Sequence, residues 1–399
     1  MNKMDTERKG GRMAEKTAGA ASKARKKFRF QLDSTLDYSL LIIIAILSAF
    51  GLVMIYSTTS YADGVSHAGN SFYTVTKQAV YLLIAVLVMI GVSFFDYHFW
   101  IRHARLMYVI AVILGIAVLF FGKEVNGQKR WFALGPVSFQ PAEYAKLTLI
   151  IAIAALTDFY YGMLRYYRVL FVFFIAALPI ALPVLSANLS SGLILLGIAF
   201  SMAFIASRRK MIFGIVIAIG VILVVVLYQT GVLEMVLDGY QMDRINAWFD
   251  PLAYSSTNGF QTVQGLYAIG VGGWFGRGLG ESLQSLGYLP EAQNDMIFSI
   301  ICEELGLVGA VIIILLLMLL VYRLMQISSH APDFQGTMLA AGVMAHIGIQ
   351  VLMNVAVVTN TMPNTGVSLP FISYGGSSVT FLMIEMGIVL NISKSQRKT

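Results

Sequence analysis

Tyr288-Leu-Pro-Glu-Ala-Gln-Asn-Asp-Met-Ile-Phe-Ser-Ile-Ile-Cys-Glu-Glu-Leu-Gly306 joins the longest polar loop of the chain to a long apolar run. That change of character decides how the rest is read. The run after Asp295 is long enough to cross a bilayer as a helix, which takes about 20 residues. Asp295 therefore falls where a membrane helix meets water, within reach of both solvent and a lipid-borne head group. The same residue suits a helix cap, because Asn and Asp are preferred where a side chain satisfies the first free N–H groups. Asn294 and Asp295 both qualify, and these residues alone leave the two readings even.

Outward from this junction, 57% of residues are hydrophobic and only 12% charged. With apolar runs recurring at bilayer length, this is a polytopic membrane protein. The single cysteine, Cys302, lies inside an apolar run, which excludes an intramolecular disulfide or a cysteine-rich metal site. Residues 1–37 hold ten of the 28 Lys and Arg residues and no apolar core, so they read as a disordered basic tail. They lack the apolar segment of a cleavable signal peptide. Orienting the first helix is role enough for them; attraction to anionic lipids is the functional alternative.

The apolar runs predict an all-α membrane protein of about ten transmembrane helices, at about 38–58, 77–95, 104–121, 141–157, 169–185, 187–206, 211–229, 295–322, 337–358 and 371–392. The membrane domain is 38–393, a large extracytoplasmic loop at 230–294 separates helices seven and eight, and 394–399 forms a cytoplasmic tail. With both termini cytoplasmic, 21 of the 28 basic residues fall on that side, as the positive-inside rule requires. This count needs a reversal near Pro183, where Pro179, Pro183 and Asn188 interrupt one apolar stretch.

Four segments carry candidate chemistry. In Asn126-Gly-Gln-Lys-Arg-Trp-Phe-Ala-Leu-Gly-Pro-Val-Ser-Phe-Gln-Pro-Ala-Glu-Tyr-Ala-Lys146, Pro141 and Glu143 suit a helix start, but Lys146 shares a face with Glu143 inside the membrane. A charge pair there is costly enough to imply function or mutual compensation. Arg130-Trp131 suits either a phosphate clamp with a stacking surface or an interfacial anchor. The glycine-dense stretch Gly265–Gly280 lacks any phosphate-loop pattern and reads as a compact loop with positive-φ turns. His346, Gln350 and Asn354 form one polar stripe, more often the pattern of interhelical hydrogen bonding than of a proton path; at least one of Glu303 and Glu304 should face a polar interior, and Glu385 poses the same question. Pro363-Asn-Thr-Gly-Val-Ser-Leu-Pro-Phe-Ile-Ser-Tyr-Gly-Gly-Ser-Ser378 permits close backbone approach and helix-start capping.

Together, Arg130-Trp131…Phe139-Gln-Pro-Ala-Glu143…Lys146, Tyr288–Asp295…Glu303-Glu-Leu-Gly306 and Gly366–Ser378 resemble the SEDS family of polytopic peptidoglycan polymerases, which includes FtsW, RodA and SpoVE. Arg244-Ile-Asn-Ala-Trp-Phe-Asp-Pro251 and the Asn364-Thr365 pair look closer to the FtsW branch. Gln293 and Asn294 stand where many members have His and Thr, and Ser285 where Lys is common. The resemblance implies glycosyl transfer from lipid II on the outer face of the cytoplasmic membrane, for division or sporulation septal wall. It places the catalytic aspartate at Asp295 and substrate contacts at Arg130, Trp131, Glu143, Lys146, Gln264, Glu291, Ser373, Gly375 and Gly376. It also implies a class B penicillin-binding protein as transpeptidase partner, beside other division-complex membrane proteins. No nucleic-acid partner is implied.

A glycosidase needs a second carboxyl group to protonate a poor leaving group. Pyrophosphate leaves without that help, so one base acting on the acceptor hydroxyl suffices, and Asp295 takes that role. Cations for the departing pyrophosphate are Lys146, Arg130 or a loosely bound divalent ion, Mg or Mn; the sequence shows no dedicated metal cage. A lipid II flippase or other polytopic transporter, and a non-enzymatic division scaffold, stay open as competing readings.

Overall fold

The computed structural model describes residues 37–125, 128–134, 137–159, 168–232, 235 and 239–396. Apart from Asp37, the expected basic tail lies outside the described residues, as do Arg165, Arg397 and Lys398. Helices α1 (Tyr38–Ser66), α2 (Tyr73–Phe94), the short α3 (Tyr97–Arg102) and α4 (Ala104–Phe121) come first. Three short strands follow, β1 (Lys123–Val125), β2 (Gln128–Leu134) and β3 (Val137–Phe139). Then come α5 (Pro141–Phe159), α6 (Arg168–Ala187), α7 (Leu189–Ala206) and α8 (Met211–Gln229). Beyond two shorter helices, α9 (Gly239–Phe249) and α10 (Phe260–Gly272), the chain ends in α11 (Ile297–Ser329), α12 (Phe334–Val358) and α13 (Gly376–Gln396).

Among the described residues, nine of these helices are long and apolar enough to cross a membrane. The tenth long helix, α5, has 19 residues and carries Glu143, Lys146 and Asp158, a density of charge that sets it apart from the nine. Lys394, expected in a tail, lies in the last turn of α13. The antiparallel strands pair Lys123 with Trp131 and Phe132 with Phe139. Their runs are too short for periodicity to show in an otherwise helical chain.

One end of the bundle is tied by ion pairs. Asp37 caps α1 by accepting from Leu40 N at 3.2 Å, and its carboxylate takes the Arg323 guanidinium of α11 at 2.8 Å. Nearby, Asp333 caps α12 through Gly336 N at 2.7 Å and accepts from His98 Nε2 at 2.8 Å.

The reversal expected near Pro183 occurs five residues later. Helix α6 runs through both Pro179 and Pro183 to Ala187, and Asn188 turns the chain by capping α7 at Ser191 N, 3.3 Å away. Proline in a membrane helix is tolerated where neighbouring helices pack around it. Here Gly115 of α4 makes the room, since a Cβ on it would stand 3.3 Å from the Pro183 ring. Asn188, with a side chain able to serve as an N-cap, is what ends the run.

Helix α11 is broken at Gly306 (φ 67°, ψ −168°), a backbone state that glycine adopts without strain. The break leaves carbonyls and N–H groups without helical partners, and an earlier stretch of chain supplies them. Arg277 N and Gly278 N donate to Glu303 O and Glu304 O at 2.9 and 3.0 Å. Leu307 N and Val308 N donate to Gly273 O and Trp274 O at 2.9 and 3.1 Å. So close an approach excludes side chains: a Cβ on Gly272 would lie 1.9 Å from Cys302 O, and one on Gly276 2.1 Å from Glu304 O. The glycine density of residues 265–280 is thereby explained by a strap laid across a broken helix.

Candidate active site

Asp295 lies in the turn before α11 and is only 8% exposed. It is not the helix cap. The cap position belongs to Met296, no side chain bonds there, and the helix begins at Ile297. The turn is built around Glu291, in the left-handed region at φ 55°, whose carbonyl accepts from Asn294 N at 2.9 Å and Met296 N at 3.4 Å. Asn294 also donates to the Glu291 carboxylate.

Three other segments close around the carboxylate. From α10, Gln261 Nε2 reaches Asp295 Oδ1 at 3.4 Å, a long hydrogen bond. Gln261 Oε1 accepts from Asn364 Nδ2 at 2.8 Å, and Arg244 of α9 donates to Asn364 O at 3.0 Å. Gly366 (φ 67°) faces the other carboxylate oxygen; a Cβ there would stand 3.5 Å from Oδ2. From α12, Asn354 Nδ2 donates to Asp295 O at 2.8 Å and Val367 O at 2.7 Å. Ser373 Oγ donates to Asn294 O at 2.6 Å, and Tyr374 N to Gln293 O at 2.9 Å.

Burial pushes the Asp295 carboxyl up to about 7. The neighbouring Glu291 charge raises it further, while Arg244 and the Gln261 hydrogen bond pull the other way. Desolvation thus outweighs the Arg244 charge and the hydrogen bonds that favour the ion.

Glu143 and Lys146 form a second buried centre. Lys146 is 1% exposed, and its Nζ lies 2.8 Å from Glu143 Oε1; the other oxygen, Oε2, has no hydrogen-bond partner among the described residues. Helix α5 packs on α12 with Gly342 against Ile150. Running the helices antiparallel from that contact sets Lys146 level with His346, about 12 Å along α12 from Asn354 at 1.5 Å per residue.

The remaining expected site residues are distributed as follows. Glu291 and Ser373 frame Asp295, but the Ser373 hydroxyl is committed to backbone, accepting from Leu369 N at 2.7 Å as well as donating. Gln264 is half-buried on α10, one turn beyond Gln261. Gly375 N donates to Gln78 Oε1 at 3.2 Å, and Gly376 packs on the Tyr81 ring, where a Cβ would come within 2.9 Å. Arg130 and Trp131 sit on β2, with Arg130 Nε donating to Ala187 O at 3.0 Å. On the polar stripe, His346 Nδ1 meets Glu385 at 2.9 Å and Gln350 donates to Ser368 O at 3.0 Å. Gln261 escaped sequence reasoning because a glutamine in an amphipathic segment carries no signal. Asn354 was visible only as part of a stripe.

Among the described residues, no group of three or more His, Cys, Asp and Glu side chains is placed to hold a metal ion. The pattern of residues 38–398 matches the family model described as cell cycle protein, FtsW/RodA/SpoVE. The chain is 36% identical over 377 residues to stage V sporulation protein E of Bacillus subtilis (strain 168), covering 90% of this chain and 98% of that one. It is 35% identical over 373 residues to a probable peptidoglycan glycosyltransferase FtsW of Geobacter sp. (strain M18), covering 90% and 97%. Among solved structures, it is similar to a chain of a peptidoglycan synthase complex that coordinates polymerization and crosslinking, with TM-score 0.73, 26% identity and coverage of 91% and 99%. It is also similar to the rod shape determining protein RodA of Thermus thermophilus, with TM-score 0.64, 25% identity and coverage of 90% and 97%.

Proposed function

The chain belongs to the FtsW, RodA and SpoVE family of cell cycle proteins, and from that membership we propose that it is a peptidoglycan glycosyltransferase that polymerises lipid II, with Asp295 as general base. One observation carries the assignment of the base: a buried carboxylate in a cradle of amides and backbone, not spent on capping a helix. A group poised near neutrality is what proton abstraction at physiological pH calls for. The acceptor sugar hydroxyl gives its proton to Asp295 as its oxygen attacks the anomeric carbon of the donor, and the pyrophosphate departs with the bonding electrons. Lys146, Arg130 and Arg244 are the cations available to the growing negative charge. A divalent ion, Mg or Mn, would be carried chiefly by pyrophosphate oxygens, since no protein cage converges on it among the described residues.

We assign the Asp295 end of the bundle to the outer face of the cytoplasmic membrane and both termini to the cytoplasm. The support is the clustering of Arg102, Arg105, Arg209, Arg323 and Lys394 toward the other end. Similarity to a chain of a complex that polymerises and crosslinks favours a class B penicillin-binding protein as partner. The FtsW and sporulation relatives favour septal wall as the product. Purified protein with its partner is expected to convert lipid II into glycan strands without moving lipid II across sealed vesicles. Movement without strands would make it a flippase, and neither activity would leave a scaffold. For orientation, Ser256→Cys labels with an impermeant thiol reagent in intact cells and Arg209→Cys does not; the reverse pattern overturns the topology.

A further inference from the structure

We propose that Asn354 is a positioning residue: its side-chain amide fixes the separation of the two loop segments that face each other across the Asp295 carboxylate. This rests on the reading of Asp295 as the base. Asn354 is 1% exposed, and its Nδ2 donates at once to Asp295 O (2.8 Å) and Val367 O (2.7 Å). Only the NH2 end of an amide can meet two carbonyl oxygens, so the orientation of the side chain is set by its partners. Val367 follows Gly366, whose backbone faces Asp295 Oδ2, so the amide spans the segments on both sides of the carboxylate.

On the opposite side the ring is completed by side chains. Asp295 Oδ1 takes Gln261, and Gln261 takes Asn364, two residues before Gly366. The Gln261 bond is the long one, at 3.4 Å, whereas both Asn354 bonds are short. The Asn354 amide is therefore the stiff member of the ring and Gln261 the soft one. One turn back, Gln350 holds the same loop through Ser368 O at 3.0 Å, which anchors α12 beneath the ring. Asn354 touches no substrate in this account; it acts through where it holds Asp295.

Asn354→Leu keeps the size and removes both donors. Measured with lipid II and the full complex, it is expected to lower kcat about ten- to a hundredfold, the effect of a misplacement on the order of 1 Å, with KM within about twofold. Loosening the ring admits water to the carboxylate, so the acid limb of the rate against pH should also move to lower pH. A folded Asn354→Leu protein with unchanged kcat and unchanged acid limb overturns the proposal; a packing role would change the yield of folded protein and leave both readings of the surviving enzyme alone. If Asn354→Leu is lost to misfolding, Asn354→Ser, with one donor in place of two, is read by the same two quantities. Asp295→Asn in the same assay separates the layers: if it polymerises normally the base assignment fails, and if it is dead while Asn354→Leu is normal, only the positioning role fails.

Discussion

Glu143 has a lysine ammonium 2.8 Å away, three residues along its own helix; Asp295 has an amide at 3.4 Å, brought from a helix 34 positions earlier. Both carboxylates are buried, and their surroundings differ. Removing the close partner of a buried charge is costly. A buried carboxylate without one is pushed toward neutrality and becomes a group that exchanges protons. Local pairing on α5 gives Glu143 a partner from its own helix, while non-local assembly around Asp295 leaves a buried carboxyl pushed up to about 7.

The contrast is broken most sharply by Asp295→Asn, which keeps the shape and the hydrogen-bond acceptor oxygen but cannot take a proton. Polymerisation should fall about a hundredfold or more, with the protein still folded and bound to its partner. Glycan formation by wild type and variant at matched concentration is the measurement; activity within a few-fold would return Asp295 to a structural role. Second in size, Lys146→Met should strongly reduce polymerisation, leaving Glu143 buried and unpaired at a cost of about 3–5 kcal/mol. Adding Glu143→Gln removes that charge. Recovery of activity in the double variant would make Lys146 a counter-ion only, whereas recovery of folding without activity would place it at the pyrophosphate.

A third test uses pH. The base works deprotonated, so the rate should rise through about 7 and then level off. An unshifted carboxylate would give a limb near about 4. The stability sign follows from the same shift. With the folded value raised from 3.8 to about 7, the carboxyl's contribution is complete below the lower value and lost as pH rises through the upper one. Asp295→Asn escapes that loss and should melt no lower than wild type above neutrality.

The smallest effect separates local from non-local support. Gly306→Ala forces a Cβ into a positive-φ site, 2.4 Å from Gly276 N. We expect destabilisation of at least roughly 1–3 kcal/mol, read as a melting temperature several degrees lower, since such backbone states cost about that much for non-glycine residues. Activity should fall with it, because the Asp295 turn stands on the short segment beyond the break. Full activity with an unchanged melting temperature would show that the turn does not depend on the strap.

The long helices were legible because lipid demands apolar runs of fixed length, and the pair Glu143–Lys146 was legible because three residues on a helix means one face. Asp295 could be singled out but not interpreted. Asn and Asp are good caps, and nothing in Gln293-Asn294-Asp295-Met296 says that the helix begins one residue too late for capping. Its cradle was out of reach for a different reason: Arg244, Gln261, Asn354 and Asn364 come from three helices and a loop, and only tertiary packing brings them together. The place of the reversal was missed because proline was weighed as a breaker, although Gly115 accommodates its ring and Asn188 does the turning.

The bonds across Gly306 also impose an order on biosynthesis. The strap, residues 273–278, leaves the ribosome before the helix it completes, and Asn354 and Ser373 follow later still. When α11 first emerges it has a strap available but neither of the residues that hold Asp295 O and Asn294 O. The surroundings of Asp295 are therefore completed only once the chain has passed Ser373, and a nascent or truncated chain ending before α12 would carry Asp295 without the Asn354 and Ser373 hydrogen bonds that hold its turn.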